Sequence, residues 1–296
     1  MSRNTTLLGL GFLAGTLGGW LALPTLLEKE GTLPQLEDRP GTALITGASS
    51  GIGAAFARKL AAEGYDVVLV ARRTERLAEL ARCLQEQYGI QAEPLTADLA
   101  NPAEVERVEA RLKSLDTLTL LVNNAGFGGF GPFVELERQR QLDMLSVNVT
   151  ACVRLAYAAL PGMISRRSGA IINVASVAAF LPSRLNVTYS ATKSYLVAFS
   201  EALQADVRGT GLRVQALCPG LTRTEFADVA ELDRINHRQV PAFIWMSAEQ
   251  VVDRSLAGLK RGQTVVVTGP QNRLAIGLAR TPGLRPLVLK LFNQRL

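Results

Sequence analysis

A chain of 296 residues that is 48% hydrophobic and 20% charged can bury a full core, and its composition excludes wholesale disorder. The net charge of +6 is uneven: eight basic residues from Arg254 to Arg295 follow Asp253 with no acid among them, which leaves −2 for everything before. The body is therefore not basic, which argues against a nucleic-acid partner and for a local anionic surface, such as lipid headgroups, at the C-terminus. Cys83, Cys152 and Cys218 are odd in number and far apart, and read as free thiols in a reducing compartment. A single histidine, His237, excludes a His-rich metal site, and no metal is expected.

Residues 1–30 form a hydrophobic N-terminal segment. Thr5 to Leu27 is an uncharged run of 23 residues between Arg3 and Glu28-Lys29-Glu30, long enough to cross a hydrocarbon core as a helix. Gly11, Gly15 and Gly19 recur every four residues, a face suited to close helix packing in lipid. Three readings stay open: a membrane anchor, which is favoured, a segment packed on its own domain, and a signal peptide. Residues 31–41 read as a linker. From Thr42 strands and helices alternate. Strands are expected at Thr42–Ile45, Asp66–Val70, Ala92–Leu95, Leu118–Val122, Ala170–Val174, Leu212–Leu217 and Gln263–Thr268. Helices are expected at Ile52–Glu63, Thr74–Tyr88, Pro102–Ser114, Glu137–Ser165 and Thr188–Arg208. Continuous apolar strands separated by helices imply an α/β fold, a parallel sheet covered on both faces, in one domain over residues 42–270.

Thr46-Gly47-Ala48-Ser49-Ser50-Gly51-Ile52-Gly53 joins the first strand to the first helix. Glycines there let the backbone approach a pyrophosphate, which the helix N-terminus stabilises, so the loop reads as a dinucleotide site. The second strand ends in Ala71-Arg72-Arg73, where an NAD enzyme presents an acid to the ribose. An acid would repel a 2′-phosphate and an arginine clamps one, so the expected cofactor is NADP(H). Asp98-Leu99 follows the third strand and is placed at the adenine pocket. Asn123-Asn124-Ala125-Gly126 follows the fourth, at the strand edges where a doubly wound sheet binds ligands.

Tyr189 and Lys193 stand four apart on one helix face, where the ammonium is expected to lower the phenol's pKa for proton exchange with a carbonyl or alcohol. Ser176 lies thirteen residues upstream of Tyr189, just past the fifth strand, and Asn148 sits in the long fourth helix.

Together these residues resemble the single-domain branch of the short-chain dehydrogenase/reductase family, over roughly residues 42–222. The resemblance implies a three-layer, doubly wound, Rossmann-like sheet. Thr46-Gly47-x-x-x-Gly51-Ile52-Gly53 resembles the family's cofactor loop, with Ser49 and Ser50 inside it, and Asn124, Ala125 and Gly126 belong to its sheet-stabilising motif. Asn148, Ser176, Tyr189 and Lys193 resemble its catalytic tetrad. Pro219-Gly220 with Thr222 resembles its nicotinamide-side loop. By that similarity Tyr189 is the general acid in reduction and Ser176 orients the carbonyl oxygen. Lys193 lowers the tyrosine's pKa and binds the nicotinamide ribose, and Asn148 holds a proton-relay water. One departure is Ser50, where some NADP-dependent members carry a basic residue, so cofactor preference rests on Arg72 with Arg73 in support.

Residues 221–245 are expected to form a substrate lid, made apolar by Phe226, Phe243, Ile244 and Trp245, although these could equally be ordinary core. Residues 271–296 alternate apolar stretches with Arg280, Arg285, Lys290 and Arg295. They read either as an interfacial basic segment or as a helix covering the sheet edge. The expected enzyme is a membrane-associated NADP(H)-dependent reductase of an apolar carbonyl, its catalytic domain facing the cytoplasm. Rival readings are a dinucleotide sensor or scaffold and an NAD-dependent oxidant of a small polar alcohol. A homodimer or tetramer is expected through the helices at 137–165 and 188–208, using Ala151, Leu155 and Ala159 on one and Leu196, Phe199 and Leu203 on the other.

Overall fold

The strands are short and almost wholly apolar, so each must be covered on both faces, and the chain does this by returning through a helix after every strand. The computed structural model describes residues 40–182, 185–226, 241–281, 283–287 and 290. The hydrophobic N-terminal run, the middle of the expected lid and the last six residues lie outside the described residues.

The order is β1 (Thr42–Thr46), α1 (Gly51–Ala62), β2 (Asp66–Ala71), α2 (Thr74–Tyr88), β3 (Ala92–Thr96), α3 (Pro102–Lys113) and β4 (Leu118–Asn123). There follow α4 (Arg138–Leu145), a π-helical stretch Ser146–Ala151, α5 (Cys152–Arg166), β5 (Gly169–Val174), α6 (Val187–Asp206) and β6 (Leu212–Cys218). Two-residue strands β7 (Thr222–Arg223) and β8 (Met246–Ser247) precede α7 (Ala248–Lys260), β9 (Val265–Val267) and α8 (Pro270–Arg280). Seven strands make one sheet in the order β3-β2-β1-β4-β5-β6-β9, parallel throughout. Chain direction across the sheet reverses between β1 and β4, and that reversal opens the crevice where a doubly wound sheet takes its ligand.

Helices α1, α2 and α7 pack on one face around Phe56, Leu60, Leu77, Leu84 and Val251, while α3, α5 and α6 pack on the other around Val108, Leu112, Leu155 and Met163. Each fully buried side chain of this size contributes about 1.5–3 kcal/mol. Local chemistry sets the helix ends: Gly89 closes α2 in the left-handed region at φ 67°, and Asn101 caps α3 by accepting from the Ala103 amide ahead of Pro102. Helix α7 was not anticipated, although its capping box was present in the sequence: Ser247 accepts from the Gln250 amide while Gln250 reaches back to the Ser247 amide.

The expected helix 137–165 is interrupted by its π turn, a widening that is common at functional positions. Arg138–Arg166 is long and apolar enough to cross a membrane, but half of its apolar window is buried against the sheet and α3, so it is a core helix. The same packing corrects the residues expected to pair subunits. Ala151, Leu155, Ala159 and Leu196 are at most 2% exposed within a single chain, and Phe199 and Leu203 pack against the same core. Helical spacing identifies an apolar stripe but not whether a sheet or a second copy covers it. The outward large apolar residues of these helices are instead Leu142, Leu145, Tyr157, Ile164, Val187 and Tyr195.

Candidate active site

The glycine loop is built for close approach. Gly47 sits at φ +65°, and a Cβ there would lie 2.7 Å from the Asn124 amide nitrogen. A Cβ on Gly53 would overlap the Gly47 carbonyl oxygen. Asn124 holds the loop from the end of β4 by donating to the Thr46 and Gly47 carbonyls at 2.8 and 3.3 Å. The Thr46 hydroxyl accepts from the Asn124 and Ala125 amides, both at 2.9 Å. Ser50 precedes α1 in extended backbone but its side chain does not cap the helix. The amides of Gly51, Ile52 and Gly53 therefore keep their first-turn positions for an anion.

Around this cradle stand the β2 arginines. Arg72 keeps 72% of its side chain open and approaches the Asp98 carboxylate at 4.0 Å, so both flank the adenosine end of the crevice. Arg73 is engaged: it donates to the Ser49 and Ser50 hydroxyls at 2.6–3.0 Å and pairs with Glu225 at 2.7 Å. Asp98 accepts from the Ala100 amide, while the Leu99 side chain is buried in the core and can meet a ligand only through its backbone. A narrow cradle, an open helix N-terminus and an exposed guanidinium together fit a dinucleotide bearing a 2′-phosphate.

Further along the crevice the chemical groups converge from three elements. Ser176 leaves β5 in extended backbone, accepts from the Ala178 amide at 3.2 Å and acts on the Tyr189 phenol, drawing its pKa down in part. Lys193, one turn along α6, is buried, donates to the Val174 carbonyl at 2.7 Å and lies 5.5 Å from the Tyr189 ring centre. Asn148 is fully buried in the π turn. It exchanges two hydrogen bonds with the Phe127 backbone at 3.0 and 3.1 Å and donates to the Thr192 hydroxyl at 3.2 Å. A Cβ on Gly126 would stand 2.9 Å from the Asn148 oxygen and 3.4 Å from the Lys193 nitrogen, so this glycine keeps the two in one pocket. Pro219 accepts from the Val177 amide, Thr222 donates to the Gly220 carbonyl, and Gly220 meets Asn272 of α8. Asn148, Ser176, Tyr189 and Lys193 are thus gathered where β4, β5 and α6 meet, while Leu99 turns its side chain into the core.

One expectation reverses. Burial pushes the Tyr189 phenol up to about 12, with the Ser176 hydrogen bond only partly offsetting it, rather than Lys193 drawing it down. Burial also pushes Lys193 down to about 8. A turn of helix places the pair on one face, but the ammonium is spent on the Val174 carbonyl and both groups have lost their water. Sequence reasoning also passed over Arg76 and Glu225, which belong to no spaced motif, and gave no role of their own to Thr46, which opens the glycine loop, or to Thr192 beside Lys193.

Residues 41–234 match the family model described as short chain dehydrogenase. The chain belongs to the short-chain dehydrogenase family. Two curated relatives are hydroxysteroid dehydrogenase-like protein 1 of Gallus gallus and the very-long-chain 3-oxoacyl-CoA reductase of Anas platyrhynchos. The first is 31% identical over 220 residues, 73% of this chain and 65% of that protein. The second is 32% identical over 194 residues, 64% of this chain and 62% of that protein. The short-chain dehydrogenase thus spans less than two thirds of either relative's length. Among solved structures, a short-chain dehydrogenase from Sphingobium yanoikuyae in complex with NADPH superposes with a TM-score of 0.74 at 36% identity, covering 85% of this chain and 95% of that one.

Proposed function

We propose that this short-chain dehydrogenase is an NADP(H)-dependent oxidoreductase that reduces the carbonyl of an apolar substrate, or oxidises the corresponding secondary alcohol. The observation that carries the reading is the convergence of four side chains: Lys193 stands 5.5 Å from the Tyr189 ring centre, Ser176 acts on the same phenol, and Asn148 is held beside them through Thr192. When bound, the nicotinamide supplies the hydride. Tyr189, whose buried phenol keeps its proton at neutral pH, gives that proton to the carbonyl oxygen as charge develops there. An alkoxide is a stronger base than a phenolate, so the transfer runs downhill even from a phenol near 12. Ser176 hydrogen-bonds the same oxygen and fixes its distance from the phenol. The Lys193 ammonium stabilises the phenolate left behind and would hold the ribose of a bound cofactor, and Asn148 would hold the water that returns a proton to this pair.

NADP(H) over NAD(H) follows from Arg72, an exposed cation at the end of β2 in the place of an acid. NADPH in the Sphingobium yanoikuyae structure supports the same choice. The substrate's apolar character is supported by Phe226, whose ring lies 5.6 Å from that of Tyr189, and by Val177 and Phe180 on the loop after Ser176. Very-long-chain 3-oxoacyl-CoA reductases among the relatives point to an acyl chain. Membrane association is supported by α8 and the residues after it. Ile276 and Ala279 pack inward on Leu181, while Leu274, Leu278, Leu284 and Leu287 are exposed among Arg273, Arg285 and Lys290. The thiols of Cys83, Cys152 and Cys218 are free, in keeping with a catalytic domain on the cytoplasmic side. A homo-oligomer would use the outward apolar residues Leu142, Leu145, Val187 and Tyr195. The deciding experiment is NADPH and NADH consumption against a panel of long-chain 3-oxoacyl thioesters, apolar ketones and small polar carbonyls. Turnover of the apolar members with NADPH is expected; no turnover of any member, or preference for NADH, overturns the reading.

A further inference from the structure

The Arg73 guanidinium makes four hydrogen bonds to three groups. Its Nε and Nη2 donate to the Ser49 hydroxyl at 3.0 and 2.9 Å, Nη2 also to the Ser50 hydroxyl at 2.6 Å, and Nη1 to the Glu225 carboxylate at 2.7 Å. Arg76, one turn along α2, donates to both oxygens of the same carboxylate at 2.7 and 3.0 Å. Two guanidinium groups thus clasp one anionic side chain, while the Ser49 and Ser50 hydroxyls hold the other edge of the Arg73 fork beside the N-terminus of α1; a pair of guanidinium groups suits a phosphate as well as a carboxylate. Arg73, and Arg76 after it, hold the Glu225 carboxyl below the usual carboxylate range, so the anion is present at neutral pH. Its position is not accidental. β7 pairs with β8 just before Glu225, and the Thr224 side chain would touch a Cβ placed on Gly51 at 3.1 Å, so this segment lies directly over the glycine loop.

Resting on the NADP(H) reading, we propose that Glu225 is a specificity-determining residue: its carboxylate occupies the anion position of Arg73 and Arg76 and competes with the cofactor's 2′-phosphate for them. Arg72 keeps most of its side chain open to a phosphate, whereas Arg73 becomes available only when Glu225 gives way. A cofactor lacking the 2′-phosphate never enters this competition. Glu225 therefore narrows the discrimination between NADP(H) and NAD(H) that the three arginines would otherwise impose.

Calorimetric titration of the full chain with 2′,5′-ADP and with 5′-ADP isolates the phosphate from the nicotinamide and from turnover. Glu225→Gln removes the charge and keeps the shape, and Glu225→Ala guards against residual hydrogen bonding by the amide. The side chains involved are 41–50% exposed, and exposed ion pairs are worth up to about 1 kcal/mol each. Displacing two such pairs therefore predicts 2′,5′-ADP binding about threefold to thirtyfold tighter in both variants, with 5′-ADP unchanged. Unchanged or weaker binding of 2′,5′-ADP overturns the proposal, as does equal tightening of both ligands. If the parent prefers 2′,5′-ADP and neither variant gains, the Glu225 inference alone fails. If parent and variants all bind the two ligands equally, the 2′-phosphate reading fails with it. A preference that emerges only in the variants supports the competition. A thermal unfolding midpoint within a few degrees of the parent's shows that the variants retain the fold.

Discussion

Tyr189→Phe separates chemistry from architecture more cleanly than any other single change. It removes one oxygen and one proton and leaves the ring, whose contact with Phe226 and whose burial in α6 persist. The lost hydroxyl takes with it at most one polar contact with Ser176, a net contribution of no more than about 1 kcal/mol. Ser176 still accepts from the Ala178 amide, so its oxygen is not orphaned. The unfolding midpoint should therefore drop by no more than about 2–4 °C for a domain of this size. Turnover depends on the same hydroxyl quite differently, since loss of a positioned general acid costs about 10²–10⁴-fold in rate. Stopped-flow NADPH oxidation with a saturating apolar ketone measures the rate, and fluorescence titration of NADPH measures cofactor affinity, which should stay within about twofold because the phenol is not an anion clamp. A rate within tenfold of the parent would refute Tyr189 as the proton donor. A matching loss of NADPH affinity would mean instead that the phenol seats the cofactor.

Three further outcomes are expected. Because Lys193 is held down to about 8, its ammonium is present below that pH and lost above it, so kcat/KM for reduction should decline above about pH 8; a Lys193→Arg variant that retains activity should lack this limb, and an identical limb in both would assign it elsewhere. Gly53→Ala places a methyl on the Gly47 carbonyl and 2.5 Å from the Asn124 amide nitrogen, a clash costing about 1–3 kcal/mol or more, so NADPH affinity should fall at least about tenfold; near-parental affinity would show that the cradle is not the pyrophosphate site. Replacing the exposed pair Leu274 and Leu278 by glutamate should weaken cosedimentation of the full chain with anionic phospholipid vesicles, with activity on a water-soluble ketone as control, and unaltered cosedimentation would remove α8 from the membrane contact.

Periodicity and punctuation made most of the fold legible before any coordinates. Continuous apolar strands could only belong to a sheet covered on both sides, and Gly89, Pro102 and the Gly47–Gly53 loop marked where helices stop and start. Helix α2 matched its expected span because a left-handed glycine and an amphipathic stripe both constrain it. The candidate catalytic residues were legible from their resemblance to a family motif and for a related reason: a strand edge and a helical turn place Ser176, Tyr189 and Lys193 by local geometry, and parallel topology brings strand ends to one edge of the sheet. Other features depend on long-range packing, which leaves no local pattern. Whether Ala151, Leu155 and Ala159 face a second subunit or their own sheet was decided by α3 lying across α5. That burial outweighs the neighbouring ammonium at Tyr189 depends on how completely water is excluded, a property of the whole pocket rather than of a four-residue spacing. Glu225 stands 152 residues from Arg73, and only the tertiary structure joins them, because an ion pair needs proximity in space and nothing in the order of residues along the chain.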